Sequence, residues 1–177
     1  MLNAENLTVR YGAYTAVSRL SITLEEGQWL MLVGPNGAGK SSLISAIAQC
    51  VPYEGTIRLE GKNLRDFRPA ELARKIGVLS QQHTVSYGYT VEEIVSLGRY
   101  AHQHWLLGRR DEKGTDAIEQ ALEKTGMTAL RNKSLLELSG GEVQRAFLAQ
   151  VFAQEPEILL LDEPANHLDL VYQKNLF

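Results

Sequence analysis

The apolar run Trp29-Leu30-Met31-Leu32-Val33 leads straight into Gly34-Pro35-Asn36-Gly37-Ala38-Gly39-Lys40-Ser41. The second stretch has the spacing G-x-x-x-x-G-K-[ST], which carries meaning where a strand precedes it and a helix follows. Both are expected here. The run suits a strand buried on both faces, as in a parallel sheet. Beyond the glycines, Leu43, Ile44 and Ile47 recur at helical spacing. Glycines let backbone N–H groups approach an anion closely, and the helix start adds the positive end of its dipole. Lys40 supplies a point charge that reaches β and γ phosphates, and Ser41 offers a hydroxyl to Mg²⁺. Gly34, Pro35, Asn36, Gly37, Ala38, Gly39, Lys40, Ser41 and Ser42 are therefore candidate nucleotide-binding residues.

The flanking patterns are those of an α/β chain. Leu7–Tyr11 and Leu20–Leu24 alternate as strands do, Thr56–Leu64 reads as strand, turn, strand, and Ile76–Gln81 as a buried strand. Pro69 opens a short helix through Lys75. From about residue 83 to 140 the character turns helical. Thr90 and Glu93 have capping-box spacing, and Ala117, Ile118, Ala121 and Leu122 share one helical face that ends at Gly126. A further helix starts at Gly141, with Val143, Ala146, Phe147, Gln150 and Val151 at helical spacing. Glu157–Leu161 then supplies a last buried strand.

Asp162 and Glu163 follow that strand directly. In open α/β sheets chemistry collects at the carboxyl ends of strands. Asp162 is placed to hold Mg²⁺ through water and Glu163 to polarise an attacking water; the alternative is a pair of turn carboxylates before Pro164. The stretch Leu138-Ser139-Gly140-Gly141-Glu142 poses a separate question. Ser139 and Glu142 form S-x-x-E, a capping box. A cap does not require Gly140 and Gly141, each of which costs about 0.5–1 kcal/mol against alanine in a helix. Bare N–H groups at a helix start, with a serine hydroxyl, make a second phosphate site. One nucleotide already has its phosphates cradled by residues 34–41, so the second site is expected to serve a nucleotide held by another copy, two subunits enclosing two ATP molecules head to tail.

The 177 residues suit one domain, and a net charge of −3 with scattered Lys and Arg gives no basic face for nucleic acid. Cys50 is the one cysteine, which excludes an intrachain disulfide; its place after an apolar helix reads as packing. No apolar stretch is long enough to span a bilayer and no leader pattern opens the chain, so a cytosolic protein able to dock on a membrane protein is expected.

Taken together, these motifs resemble those of ABC ATPases in order and spacing over nearly the whole chain. Leu138–Arg145 looks like their signature, Gly34–Ser41 like Walker A, and Ile158–Glu163 like Walker B. Ala165–Asp169 resembles the D-loop, with Asp169 its aspartate. Gln81 matches the Q-loop glutamine, with Gln82 as the alternative, and Tyr11 lies where an aromatic stacks on adenine; Val17 is more simply core. The resemblance implies a P-loop cassette with a mainly parallel core sheet, an N-terminal antiparallel β subdomain and a helical insert. It implies ATP and Mg²⁺ as ligands, catalysis by Glu163, Lys40 and Gln81, metal contacts from Ser41, Gln81 and Asp162, and a second cassette, by expectation a homodimer, completed by Leu138 to Glu142. His83, His102 and His104 read as surface residues, and His167 falls within the D-loop match.

The segment Thr90–Gln103 further resembles the ATPases of importers for iron chelates, haem and cobalamin. That implies transmembrane permease subunits, contacted around His83–Tyr89 and along Val91–Tyr100, and a peripheral place on the inner face of the cell membrane. The wording Asp162–Asp169 is also close to ribosome-associated, non-transport ABC proteins, which usually carry two cassettes in one chain. A third reading is a chain that binds nucleotide without turnover. The resemblance implies a further core strand and an H-loop histidine beyond Phe177, so a C-terminally truncated single domain of low stability is expected.

Overall fold

The structure is a computed structural model, described for residues 1–81, 87–103, 111 and 113–163. Two compact units, Met1–Leu72 and Ala73–Phe177, divide the chain.

The first unit is built on an antiparallel sheet in the order β2-β1-β3-β4. β1 (Leu2–Tyr11) and β2 (Tyr14–Leu24) form a long hairpin, and β3 (Glu54–Leu59) pairs with the other edge of β1 before turning into β4 (Lys62–Asn63). The alternation expected for β1 is interrupted. Leu2 and Ala4 are buried, then Leu7, Thr8 and Val9 are buried in succession. Register shifts between Ala4 and Leu7, and again up to Arg10, account for this, because each bulge re-aims the side chains that follow. Thr8 is tolerated inside because its Oγ1 accepts from the Arg19 amide at 3.0 Å. α1 (Lys40–Ile47) buries Leu43, Ile44 and Ile47, as their spacing requires.

Two expectations fail in this unit. The run before the phosphate loop belongs to no strand ladder among the described residues, and Trp29, Met31 and Val33 are 75%, 79% and 86% exposed. An apolar sequence favours a buried strand, but the ladder itself needs a partner, and none of the described strands pairs with this run. Cys50 is exposed rather than packed. α1 gives way to its C-cap at Ala48, and Gln49 takes φ 59°, so Cys50 has left the helical face that buries Ile47.

In the second unit, β5 (Ile76–Leu79) and β6 (Ile158–Leu161) pair in parallel, Ile76 opposite Ile158 and Leu79 opposite Leu161. The crossover carries α3 (Val91–Leu97), α4 (Gly114–Lys124) and α5 (Gly140–Ala153). α2 (Pro69–Lys75) precedes β5, with Pro69 at its first position as expected. The capping box at Thr90 and Glu93 is formed. Val91, Val95, Leu122, Met127 and Ala146 fill a core between α3, α4 and α5, while Leu148 and Val151 pack α5 against Leu79 of β5. Each such large aliphatic contributes about 1.5–3 kcal/mol by its burial. α5 thus serves both layers, which is why Leu148 and Ala149 are buried alongside Ala146 and Val151. β6 is less buried than its aliphatic run predicts: Leu159 is exposed and its neighbours are intermediate. Among the described strands only β5 pairs with it, so one side of the strand stays open.

Arg99, directly after α3, is buried and fully engaged. It forks onto both carboxylate oxygens of Asp111 at 2.6 and 3.1 Å, and donates to the Ala153 carbonyl at 2.8 Å and Glu155 at 2.7 Å. His102, read as a surface residue, is instead partly buried, with Nε2 2.9 Å from the Gln154 carbonyl.

α3 approaches α5 closely at its C-cap Gly98, where an added Cβ would lie 2.1 Å from the Gln150 carbonyl oxygen. Gly98→Ala is expected to destabilise the fold by about 1–3 kcal/mol, seen as a lower urea midpoint. An unchanged midpoint would mean that α3 and α5 do not approach this closely.

Candidate functional site

The glycine-rich loop lies in the first unit. Gly37 and Gly39 both have positive φ, 82° and 88°, a conformation that disfavours side chains. At Gly39 space is limiting as well: a Cβ would fall 2.2 Å from the Ala16 carbonyl oxygen of β2. The loop is thereby pressed onto β2, with Val17 as its buried floor. The helix ladder begins with the Leu43 amide donating to Gly39 at 2.9 Å, so the amides ahead of it have no acceptor within α1. No side chain caps α1 and no acidic residue stands in its first turn. That leaves a helix start suited to an anion. Lys40 folds back over the loop, its Nζ donating to Gly34 at 2.8 Å and Pro35 at 3.0 Å. An ammonium has three donors, so one remains for a phosphate oxygen.

In the second unit, the carboxyl ends of β5 and β6 gather three expected residues. The Asp162 amide extends the parallel ladder by donating to the Leu79 carbonyl at 2.9 Å, and Asp162 is 8% exposed. Gln81 Nε2 donates to Glu163 Oε2 at 2.7 Å. Glu163 takes φ 52°, unusual for a non-glycine residue and the kind of strain that collects at working sites. Two of the residues expected to act in catalysis are thus in direct contact, although 82 positions separate them in the chain.

At the start of α5 the capping box is present. Ser139 Oγ accepts from the Glu142 amide at 3.4 Å, and Glu142 Oε2 accepts from both the amide and the hydroxyl of Ser139 at 2.8 Å. These bonds hold the Glu142 carboxyl below its ordinary value, the backbone amide of Ser139 first, then its hydroxyl. The cap alone does not account for Gly140, around which an added Cβ would meet nothing within 4 Å. Its lack of a side chain relieves no crowding among the described residues.

Tyr11 is exposed at the end of the β1–β2 hairpin, opposite Tyr14. Sequence reading overlooked Tyr14, whose hydroxyl donates to the Gly37 carbonyl at 3.1 Å. The tight turn of the hairpin sets Tyr14 opposite Tyr11, but no local pattern signals its reach to the loop. Asp169, Gln82, His83, His104 and His167 lie outside the described residues.

A phosphate loop opening a helix, and a parallel pair ending in a buried Asp and a Gln–Glu contact, define a P-loop nucleotide-binding cassette. The family described as ABC transporter matches residues 17–166, and the chain belongs to that family. It is 44% identical over 176 residues to the uncharacterized ABC transporter ATP-binding protein YvrA of Bacillus subtilis (strain 168), covering 99% of this chain and 40% of that protein. It is 40% identical over 176 residues to the ferric enterobactin transport ATP-binding protein FepC of Escherichia coli (strain K12), covering 99% and 65%. The hemin import ATP-binding protein HmuV of Jannaschia sp. (strain CCS1) is 39% identical over 181 residues, covering 98% and 64%. This chain therefore spans less than two thirds of each of these relatives. Among solved structures, the dimeric bacterial ABC transporter cassette MJ0796 superposes with a TM-score of 0.85 at 25% identity, over 99% of this chain and 79% of that one. The expected cassette fold is confirmed on these grounds.

The capping box yields a pH prediction. Because the folded Glu142 carboxyl sits below 4.5, its stabilisation is complete above that value and is lost as the pH falls through the folded pKa. The melting-temperature gap between the parent and Glu142→Ala is expected to be full at neutral pH and to close in acid below 4.5. A gap independent of pH would show that the carboxylate does not cap α5.

Proposed function

We propose that the protein binds Mg²⁺–ATP and, paired with a second cassette, hydrolyses it to energise a membrane importer for iron chelates, haem or cobalamin. The hydrogen bond from Gln81 to Glu163, beside buried Asp162, is the observation that carries the hydrolytic reading. Lys40 and the loop amides neutralise charge on the β and γ phosphates. A water attacks the γ phosphorus in line, the bond to the bridging oxygen breaks, and ADP leaves. Glu163 takes the proton of that water, and Gln81 fixes the carboxylate that does so. Phosphoryl transfer of this kind depends on positioning and electrostatics more than on covalent chemistry.

Ser41, Gln81 and Asp162 provide oxygen donors, the set a hard cation such as Mg²⁺ takes. When bound, Mg²⁺ supplies charge stabilisation on the phosphates. Ser139, Gly140 and Gly141 complete the nucleotide site of a second, identical cassette, with Leu138 and Glu142 holding the cap in place.

The import reading is supported by the relatives, one of which is described as a ferric enterobactin and another as a hemin transport protein. Exposed Tyr87, Tyr89, Leu97 and Tyr100 offer an apolar surface for permease subunits at the inner face of the membrane. No helix among the described residues is long and apolar enough to cross a membrane. A second reading is nucleotide binding without turnover, since the phosphate loop is shaped by contacts within the first unit alone.

Calorimetric titration with Mg²⁺–ATP and steady-state turnover test both readings. Glu163→Gln is expected to bind ATP as the parent does and to lose turnover by about 100-fold or more; Lys40→Ala is expected to weaken binding. Turnover indifferent to Glu163→Gln would overturn the assignment of the base, and a parent that binds without turning over would establish the second reading.

A further inference from the structure

The segment just ahead of the α5 cap is sewn to the start of α3. Val91 donates its amide to the Lys133 carbonyl at 3.0 Å, Glu92 to Arg131 at 3.0 Å, and Leu135 returns a bond to Tyr89 at 2.9 Å. Thr90 and Ser134 form an isolated antiparallel bridge in the middle of this seam. Leu135 is buried in the helical core and anchors the segment from below. Two caps then follow in quick succession: Ser134 Oγ accepts from Leu136, and Ser139 Oγ accepts from Glu142. The direction of this seam therefore sets where α5 begins.

One side chain ties the seam to both neighbouring helices. Arg131 Nη2 and Nε donate to the two carboxylate oxygens of Glu92 on α3 at 2.6 and 3.2 Å. Its Nη1 lies 2.8 Å from Glu119 Oε1 on α4. The Arg131 hydrogen bond holds the Glu92 carboxyl below its ordinary value. The Arg131 side chain is 29% exposed and its partners are 41% and 46% exposed. Ion pairs this open to water add little to global stability. A planar guanidinium forked onto one carboxylate and joined to a second still fixes direction, which a single point charge does not. Ser139 stands eight residues further along the chain.

From this geometry we infer that Arg131 is a positioning residue for the Ser139 cap: it clamps residues 131–135 onto α3 and α4, and so aims the amino end of α5. Its effect on turnover rests on the two-cassette reading of Ser139, whereas its effect on the cap concerns this chain alone.

The test compares the parent with Arg131→Ala, Arg131→Lys and Ser139→Ala, all in the full chain. Hydrogen exchange is expected to quicken about tenfold in Arg131→Ala at the Glu142 and Val143 amides, with the buried core of α4 and α5 unchanged. ATP turnover in that variant is expected to fall about tenfold in kcat, with KM for ATP unchanged within about twofold. Arg131→Lys, which keeps the charge without the fork, recovers part of both losses. Exchange at the cap unchanged in Arg131→Ala would overturn the inference. So would a uniform rise across the whole second unit with a matching drop in melting temperature, since that is the signature of a merely structural residue. If Ser139→Ala leaves turnover intact, the two-cassette reading fails, and the exchange measurement decides the role of Arg131 independently.

Discussion

The pairing of β5 with β6 places the chemistry of the second unit. Four residues on each strand run in parallel register, and the ladder is continued by the Asp162 amide on the Leu79 carbonyl. Strand side chains alternate between faces, so a slip of one residue would send Asp162 and Glu163 to the wrong sides. In the observed register Gln81 and Glu163 meet at 2.7 Å while Asp162 turns inward. α5 holds the register from above. Leu148 and Val151 pack on Leu79, and the Gln154 side-chain amide donates to the carbonyls of Ala73 in the last turn of α2 and of Ile76, the first residue of β5. The same helix carries the Ser139 cap at its other end. A single 14-residue helix therefore connects the candidate partner-facing phosphate site with the strands that present the acidic pair.

The charged residues of this unit divide by burial. Arg99 is inside, and its four bonds to Asp111, Glu155 and the Ala153 carbonyl satisfy a cation that could not be left unpaired without a cost of about 3–5 kcal/mol. Arg131 is near the surface, where the same kind of fork contributes direction rather than stability. Both bind α3 to the segments around α5, one at each end of that short helix. α3 is thus held by its core residues, by its Thr90 cap and by two arginines that do not belong to it.

Much of the fold was legible because local chemistry and tertiary structure agree. The glycine loop, the capping boxes at Thr90 and Ser139, and the apolar faces of α1 and α4 each have a short-range physical cause, and each stands where its pattern put it. The misses have non-local causes. Trp29 to Val33 reads as a strand, but a strand exists only with a neighbour. Bulges in β1 shift burial from alternate residues to Leu7, Thr8 and Val9; the first falls at Asn6, which takes φ 51°, and a single Asn within an alternating run does not by itself announce a bulge. Cys50 follows an apolar helix in sequence but leaves its face in space. Of the candidate site, the glycine loop and the acidic pair were plain from spacing. Gln81 was named through resemblance alone, and its contact with Glu163 followed from no local pattern. The hydroxyl of Tyr14 on the loop depends on how a hairpin end meets a distant turn, which spacing does not encode.

The most direct measurement is the ATP-dependent association state of the Glu163→Gln chain, followed by sedimentation with the bound nucleotide counted. A Glu163→Gln chain that cannot turn over is expected to dimerise on ATP but not on ADP, with two nucleotides per two chains. Filling the space around Gly140 with a large side chain is expected to abolish the dimer while each chain still binds its own ATP. A monomer that retains ATP without associating, or a dimer indifferent to the change at Gly140, would contradict the view that Ser139 and its glycines serve the nucleotide of a second copy.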